Sequence, residues 1–163
     1  MKGRLVVFCG IPGSGKTTIA RLVANSFRDS IVVETDDVRR MLTHPSFSPD
    51  ESKWVYSTCF AIAKEALKAG YFVFLDGTFL REEYRLEARM LLRRYYNRAD
   101  TVWVRCGIET ALQRNSARNA VVPAVKVKAM FDAFETPPVA VRIDSSRMAP
   151  EAASRRVVSA LRS

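Results

Sequence analysis

Cysteine is scarce. Cys9, Cys59 and Cys106 are an odd number, widely spaced, and no C-x-x-C pair occurs. Neither a disulfide framework nor a cysteine zinc site fits, and the set suits a reducing, cytoplasmic setting. Long hydrophobic runs are also missing. None approaches the roughly 20 apolar residues that span a bilayer, so no membrane partner is expected. The first apolar run, Leu5 to Cys9, is too short for a signal-peptide core. Repeats, low-complexity tracts and linkers are absent, and 163 residues fit one domain, 1–163, with no room for a second of ordinary size. Acidic residues are outnumbered. Lysine plus arginine gives 26 against 17 aspartates and glutamates, for a net charge of +9. A basic surface attracts polyanions, and nucleic acid is the commonest in cytosol; a solubility charge with no partner is the plainer alternative. With 48% hydrophobic and 26% charged residues, whole-chain disorder is excluded.

What is present alternates. Continuous apolar runs at Leu5–Cys9, Ile31–Glu34, Tyr71–Leu75, Thr101–Arg105 and Val139–Ile143 read as strands. Helical spacing runs through 16–27, 37–42, 49–69, 81–96, 108–114, 123–134 and 150–161. Ser48-Pro49-Asp50-Glu51 is a capping box with proline at the first helical position. Its helix should bury Val55, Cys59, Ile62 and Ala66; Val127, Met130, Phe131 and Phe134 should face inward later. The pattern predicts an α/β fold with a five-stranded parallel sheet between helical layers.

Gly10-Ile11-Pro12-Gly13-Ser14-Gly15-Lys16-Thr17, followed by Thr18, fits G-x-x-x-x-G-K-[ST]. It follows a buried strand and opens a helix, as a phosphate cradle requires. The glycines let N–H groups point inward, and the helix N-terminus adds partial positive charge. Lys16 supplies a cation to the β- and γ-phosphates of ATP or another NTP, and the Thr17 hydroxyl can ligate Mg²⁺. A regulatory GTPase would also carry N-K-x-D, which is missing.

Other motifs stand at strand ends, where ligands of open parallel sheets bind. Thr35-Asp36-Asp37-Val38-Arg39-Arg40 offers a carboxylate to orient an acceptor hydroxyl and take its proton; Asp36 is assigned that role and Asp37 the helix cap. Asp76-Gly77-Thr78 suits a Mg²⁺-water or acceptor-positioning carboxylate, or a plain turn. Arg114 and Arg118 lie one turn apart and either close over a triphosphate or form a solvated basic helix end. Arg81, Arg85, Arg89 and Arg93 form a stripe that reads as a guide for a phosphate backbone or as a solvated face. Trp54 and Tyr56 can stack on a base or pack. His44 stands in the stretch before the capped helix.

In this order the P-loop, Thr35-Asp36-Asp37-Val38-Arg39, Asp76-Gly77-Thr78, Arg114-Asn115-Ser116-Ala117-Arg118 and Val122-Pro123 resemble the kinase domain of 5′-polynucleotide kinases of the bacteriophage T4 type. The resemblance implies the P-loop kinase fold with a short helical lid, about 108–129. It implies that Lys16 and Thr17 hold donor phosphates and Mg²⁺, with Asp36 and Asp76 reaching the metal through water. Asp36 would be the base toward a 5′-hydroxyl. Arg39, helped by Thr78, would bind the phosphate 3′ to the acceptor nucleoside. Arg118 would be the lid arginine, supported by Arg114, and Asp144-Ser145-Ser146-Arg147 would border the adenine. The kinase acting on seryl-tRNA for selenocysteine shares the P-loop and a similar lid. The expected function is NTP-dependent phosphorylation of the 5′-OH end of RNA or DNA. The alternatives are a kinase of the same fold acting on a small molecule or an RNA-linked aminoacyl group, and a nucleotide-dependent RNA-binding protein.

Overall fold

The computed structural model describes residues 3–118 and 122–163. Their strands are β1 Gly3–Cys9, β2 Ser30–Glu34, β3 Phe72–Asp76, β4 Tyr96–Arg105 and β5 Val141–Asp144. All pair in parallel, in the order β2-β3-β1-β4-β5. The helices are α1 Lys16–Ala24, α2 Thr35–Arg40, α3 Pro49–Lys68, α4 Glu82–Leu92, α5 Ile108–Ser116, α6 Ala124–Ala133 and α7 Pro150–Arg162.

The alternation within β1 explains the two layers. Leu5, Val7 and Cys9 join one core with Val55, Cys59, Ala63 and Leu67 of α3 and Ala88 and Leu92 of α4. Val6 and Phe8 join the opposite core with Ile19 and Val23 of α1 and Val157 and Leu161 of α7. Both faces of β1 are dry, which is why its sequence is apolar throughout. Each such side chain contributes about 1.5–3 kcal/mol by burial. The five-stranded parallel sheet between helical layers is therefore as the sequence predicts.

Several expected boundaries and faces differ. The helix expected over 81–96 ends at Leu92, because Tyr96 is already in β4, paired with Gly3 and buried. On α3 the buried face is Val55, Cys59, Ala63 and Leu67, at steady spacing of four, and Ile62 lies exposed on the flank. On α6 Val127 is buried, while Met130 and Phe134 pack partly against the same small core and Phe131 is exposed. That core, with Ile11, Cys106 and Ala111, covers only one side of α6. The capping box forms: Ser48 Oγ accepts the Glu51 N–H at 3.1 Å. Its return arm reaches further back than expected, since Glu51 accepts from the Ser46 and Phe47 N–H groups. Asp37 caps nothing; it pairs with the exposed Arg40, and α2 starts without a side-chain cap. Of the expected lid, 108–129, residues 119–121 lie outside the described residues.

One turn of the P-loop admits no side chain. Gly13 has φ 82°, and a Cβ there would lie 2.2 Å from the Ala111 carbonyl oxygen of α5. Gly13→Ala is expected to cost at least about 1–3 kcal/mol. A urea titration followed by circular dichroism measures it; an unchanged midpoint would show that α5 yields freely.

Candidate active site

The sheet brings the motifs to one edge. Register places Phe8 and Glu34 on either side of Asp76, so β1, β2 and β3 end at the same level. The cradle from Gly10 to Thr17 crosses this edge between β1 and α1. The Gly10 N–H donates to the Thr78 carbonyl at 3.2 Å, tying the cradle to the loop after β3. The Ser14 carbonyl accepts from Ser145 Oγ at 2.6 Å. Gly15, with φ 86°, caps α1, and Lys16 follows, almost wholly buried.

Asp76 is 3% exposed. Its Oδ2 accepts from Thr17 Oγ1 at 2.5 Å, and its Oδ1 is buried with no partner among the described residues. The carboxyl is thus aimed at the cradle and not at its own turn. Burial pushes its pKa up, against the pull of the Lys16 charge and the Thr17 hydroxyl. A free buried carboxylate oxygen beside a threonine hydroxyl fits a hard cation. Among the described residues no cluster of histidine, cysteine, aspartate or glutamate could hold a metal alone. That suits Mg²⁺, which is commonly held by one or two carboxylates plus substrate phosphates. A raised pKa means that ionised Asp76 costs stability at pH values above the ordinary aspartate range. Asp76→Asn is therefore expected to raise Tm in EDTA while Mg²⁺-dependent nucleotide turnover falls about tenfold or more. A lowered Tm would show that the charge is structurally needed.

Asp36, in the first turn of α2, accepts from Arg118 Nη2 at 3.0 Å. Burial works against its ionisation, but the Lys16 charge and the Arg118 hydrogen bond and charge outweigh it. Its carboxyl is held below the usual aspartate range. Arg114, one turn before Arg118, donates to Ser145 Oγ and to the Ser145 carbonyl, both at 2.9 Å. Though the residue is exposed, its guanidinium is anchored, and it stands beside Gly15.

Two cavities flank these groups. One, of about 400 Å³, is lined by Gly13, Gly15, Lys16, Thr17, Thr18, Arg21, Glu34, Asp36, Arg40, Arg114 and Arg118. The other, of about 1020 Å³, runs between α3 and α4 from Pro12, Thr35, Asp36 and Thr78 to Lys64 and Tyr95. Asp36 is the one residue the two cavities share among the described residues. Of the predicted donor groups the first collects Gly13, Gly15, Lys16, Thr17, Thr18, Arg114 and Arg118, while Gly10 and Ser14 line neither cavity and Pro12 lines the second. Of the predicted acceptor groups the second collects Asp36, Arg39 and Thr78 but not Asp76, and it is lined largely by rings and aliphatic stems, including Phe47, Tyr56, Phe60 and Tyr84.

The profile of the AAA domain family matches residues 5–137. The chain belongs to this family. This AAA domain is 23% identical over 137 residues to an L-seryl-tRNA(Sec) kinase of Methanococcus maripaludis. The match covers 82% of the chain and 53% of that relative, so the chain spans about half the relative's length. Its fold is that of the APS kinase CysC of Mycobacterium tuberculosis, solved with AMPPNP and APS, at a TM-score of 0.79 and 18% identity over 99% of both chains. It also resembles a chain of the Pnkp1/Rnl/Hen1 RNA repair complex, at a TM-score of 0.70 and 20% identity over 82% of this chain and 44% of that one. The P-loop kinase fold is thus shared across kinases named for different acceptors.

Not every predicted residue of this AAA domain is free for its expected role. Arg39 lines the acceptor cavity but is paired with Glu51 and touches Ser52 Oγ at 3.3 Å, with the Phe47 ring 4.8 Å away. Desolvation works against ionisation of Glu51, but hydrogen bonds from Ser46, Arg39 and Phe47 bring its pKa down to about 2. The arginine stripe is divided: Arg81 and Arg93 are exposed, as a solvated face would have them. Arg85 is wholly buried, and Arg89 binds Glu82 at 2.7 Å and Thr101 at 3.3 Å. Tyr56 packs against Phe79 and its hydroxyl accepts the Phe79 N–H at 3.2 Å; burial pushes its pKa up to about 12. Trp54 and His44 are exposed and line neither cavity.

Sequence reasoning did not single out Glu34, which holds Arg21 at 2.6 Å on the donor wall. Its position at the end of β2, level with Asp76, was the available signal. It also missed the second partner of Glu51, which no local pattern announces.

Proposed function

We propose that the chain is a kinase that moves the γ-phosphate of ATP, or another NTP, to a hydroxyl of a small molecule or of an RNA-linked aminoacyl group. One observation carries this reading: the donor cleft and the acceptor cavity meet at Asp36 and at no other described residue. The acceptor oxygen forms the new bond to phosphorus, the bond to the bridging oxygen breaks, and the proton passes to Asp36 late in transfer. Lys16 and Arg118 offset charge on the donor oxygens, and Arg114 fixes the cradle against Ser145. Mg²⁺, held by Thr17, Asp76 and the donor phosphates, would neutralise the β- and γ-oxygens. The seryl-tRNA kinase relative supports an aminoacyl-RNA hydroxyl, and the APS kinase fold supports small acceptors.

A second reading, the polynucleotide 5′-hydroxyl kinase, draws on the T4-type motifs. Lys53, Lys64 and Lys126 line the acceptor cavity without a carboxylate partner among the described residues, and they would suit a polyanion. Against it, Arg39 already has Glu51 as its counter-ion, and Arg85, in the middle of the stripe, is wholly buried. The deciding experiment is an acceptor screen with γ-labelled ATP and Mg²⁺, offering seryl-tRNA, sugars, small alcohols, nucleosides, 3′-phosphorylated nucleosides and 5′-hydroxyl oligonucleotides. Label on seryl-tRNA or a small alcohol supports the main reading. Preference for 3′-phosphorylated nucleosides and oligonucleotides replaces it with the second. Nucleotide binding with no acceptor labelled would leave a nucleotide-dependent RNA-binding protein.

A further inference from the structure

We propose that Arg85 is a positioning residue that locks the acceptor loop after β3 to the chain leaving α6, so that two walls of the acceptor cavity move as one body. The inference rests on the kinase reading for its consequence, though not for its geometry. The Arg85 side chain is 0% exposed, which is costly for a guanidinium unless its donors are satisfied. Here the fork is filled from three sides. Nη1 donates to the Phe79 carbonyl at 2.6 Å, Nη2 to the Glu135 carbonyl at 2.7 Å, and Nε to Glu82 Oε2 at 2.7 Å. The Phe134 ring lies 5.6 Å from the guanidinium carbon.

Glu82 belongs to Arg85's own helix, but Phe79 and Glu135 come from two different walls. Phe79 sits between Thr78 and Leu80, both on the acceptor wall. It holds φ 42°, a left-handed conformation that a bulky residue keeps only when its surroundings impose it. The Tyr56 hydroxyl fixes its N–H and Arg85 fixes its carbonyl. Glu135 follows α6, whose Lys126 and Met130 form another wall of the same cavity. The link is closed twice more: the Glu135 N–H donates to the Leu80 carbonyl at 3.0 Å, and the Glu82 N–H donates to Glu135 Oε2 at 2.9 Å. The three acceptors face Nε, Nη1 and Nη2 separately, a spread that matches a planar fork and not the single nitrogen of an ammonium. Arg85 itself lines neither cavity, so it acts through Phe79 and Glu135.

Amide hydrogen exchange by NMR tests the lock in the wild-type protein. The amides of Glu82 and Glu135 should open with the same protection, within about threefold, and shift together when Mg²⁺-AMPPNP is added. Protections that differ by more than about tenfold would overturn the proposal. In Arg85→Lys both amides should lose protection about tenfold or more, while those of Val73 to Leu75 in β3 stay unchanged. KM for ATP, read from hydrolysis to water, should stay within about twofold. KM for the acceptor found in the screen should rise about tenfold or more, with a smaller fall in kcat. Loss of protection throughout β3 would make Arg85 merely structural and sink the idea. If Arg85→Lys does not fold, Glu82→Gln removes the counter-charge more gently; it should weaken the same two amides, and no change in either overturns the lock. A screen that labels nothing defeats the kinase reading and leaves the exchange result standing.

Discussion

Lys16→Ala is expected to abolish phosphoryl transfer, by at least about 10³-fold, in a protein that remains folded. Lys16 opens α1 at the mouth of the cradle, nearly buried, and its charge bears on both Asp36 and Asp76. Transfer spreads negative charge over the oxygens around phosphorus, and a fixed cation in a site that excludes water is worth far more than one in solvent. Without Lys16, Asp36 and Asp76 lose a cation that bears on both, while the cavity's arginines are already engaged, Arg118 with Asp36, Arg21 with Glu34, Arg40 with Asp37 and Arg114 with Ser145. Stability should change less. Asp76, already favoured in its protonated form by burial, takes up a proton and avoids a buried uncompensated charge. Single-turnover transfer from γ-labelled ATP, beside a thermal melt, reads both effects. Near-normal turnover by a well-folded Lys16→Ala protein would remove the cradle from the mechanism.

The cradle was legible in the sequence because its determinants are local: a buried strand, glycines at tight turns, and a helix start within a few residues. Asp76 was legible for a related reason, since an apolar strand ending in aspartate places that carboxylate on the binding edge of the sheet. The pairing of Asp36 with Arg118 was not legible: motif order gave each residue its own role, and nothing local sets their 3.0 Å contact. Arg85 was not legible. A four-residue repeat of arginine is the same pattern whether the face is wet or dry, and the groups that bury Arg85 come from the loop after β3 and from beyond α6. Glu51 was readable as a capping residue. Its pairing with Arg39 was not, because Arg39 arrives from α2 across a turn with no regular pattern. The end of α4 failed for a similar reason: Tyr96 continues the helical spacing, but its ladder partner in β1 decides its state.

Asp36→Asn is the sharper test of chemistry, since it keeps shape and hydrogen bonding and removes only the proton acceptor and its charge. We expect kcat to fall about 10²-fold or more, with nucleotide affinity little changed. The neighbouring Asp37 gives the control. It is exposed and pairs with Arg40 on the same helix, an arrangement worth little in water, so Asp37→Asn should leave turnover near wild type. The pH dependence has a definite sign. The carboxyl of Asp36 is held below its ordinary range, so it remains ionised from neutrality down past the pH at which a free aspartate protonates. Its contribution to stability is present above the unfolded pKa and is lost as pH falls through the folded value. The acid limb of kcat/KM, which reports the free enzyme, should therefore lie below the ordinary aspartate range. That limb should vanish in Asp36→Asn, whose residual activity stays flat over the same interval. The Arg118 guanidinium, deprived of its carboxylate, is then free to stay on the donor phosphates, which keeps KM for ATP from rising. If Asp37→Asn is the damaging change and Asp36→Asn is not, the acceptor hydroxyl meets the next carboxylate along α2. The shared corner of the two cavities would then not be where the proton leaves.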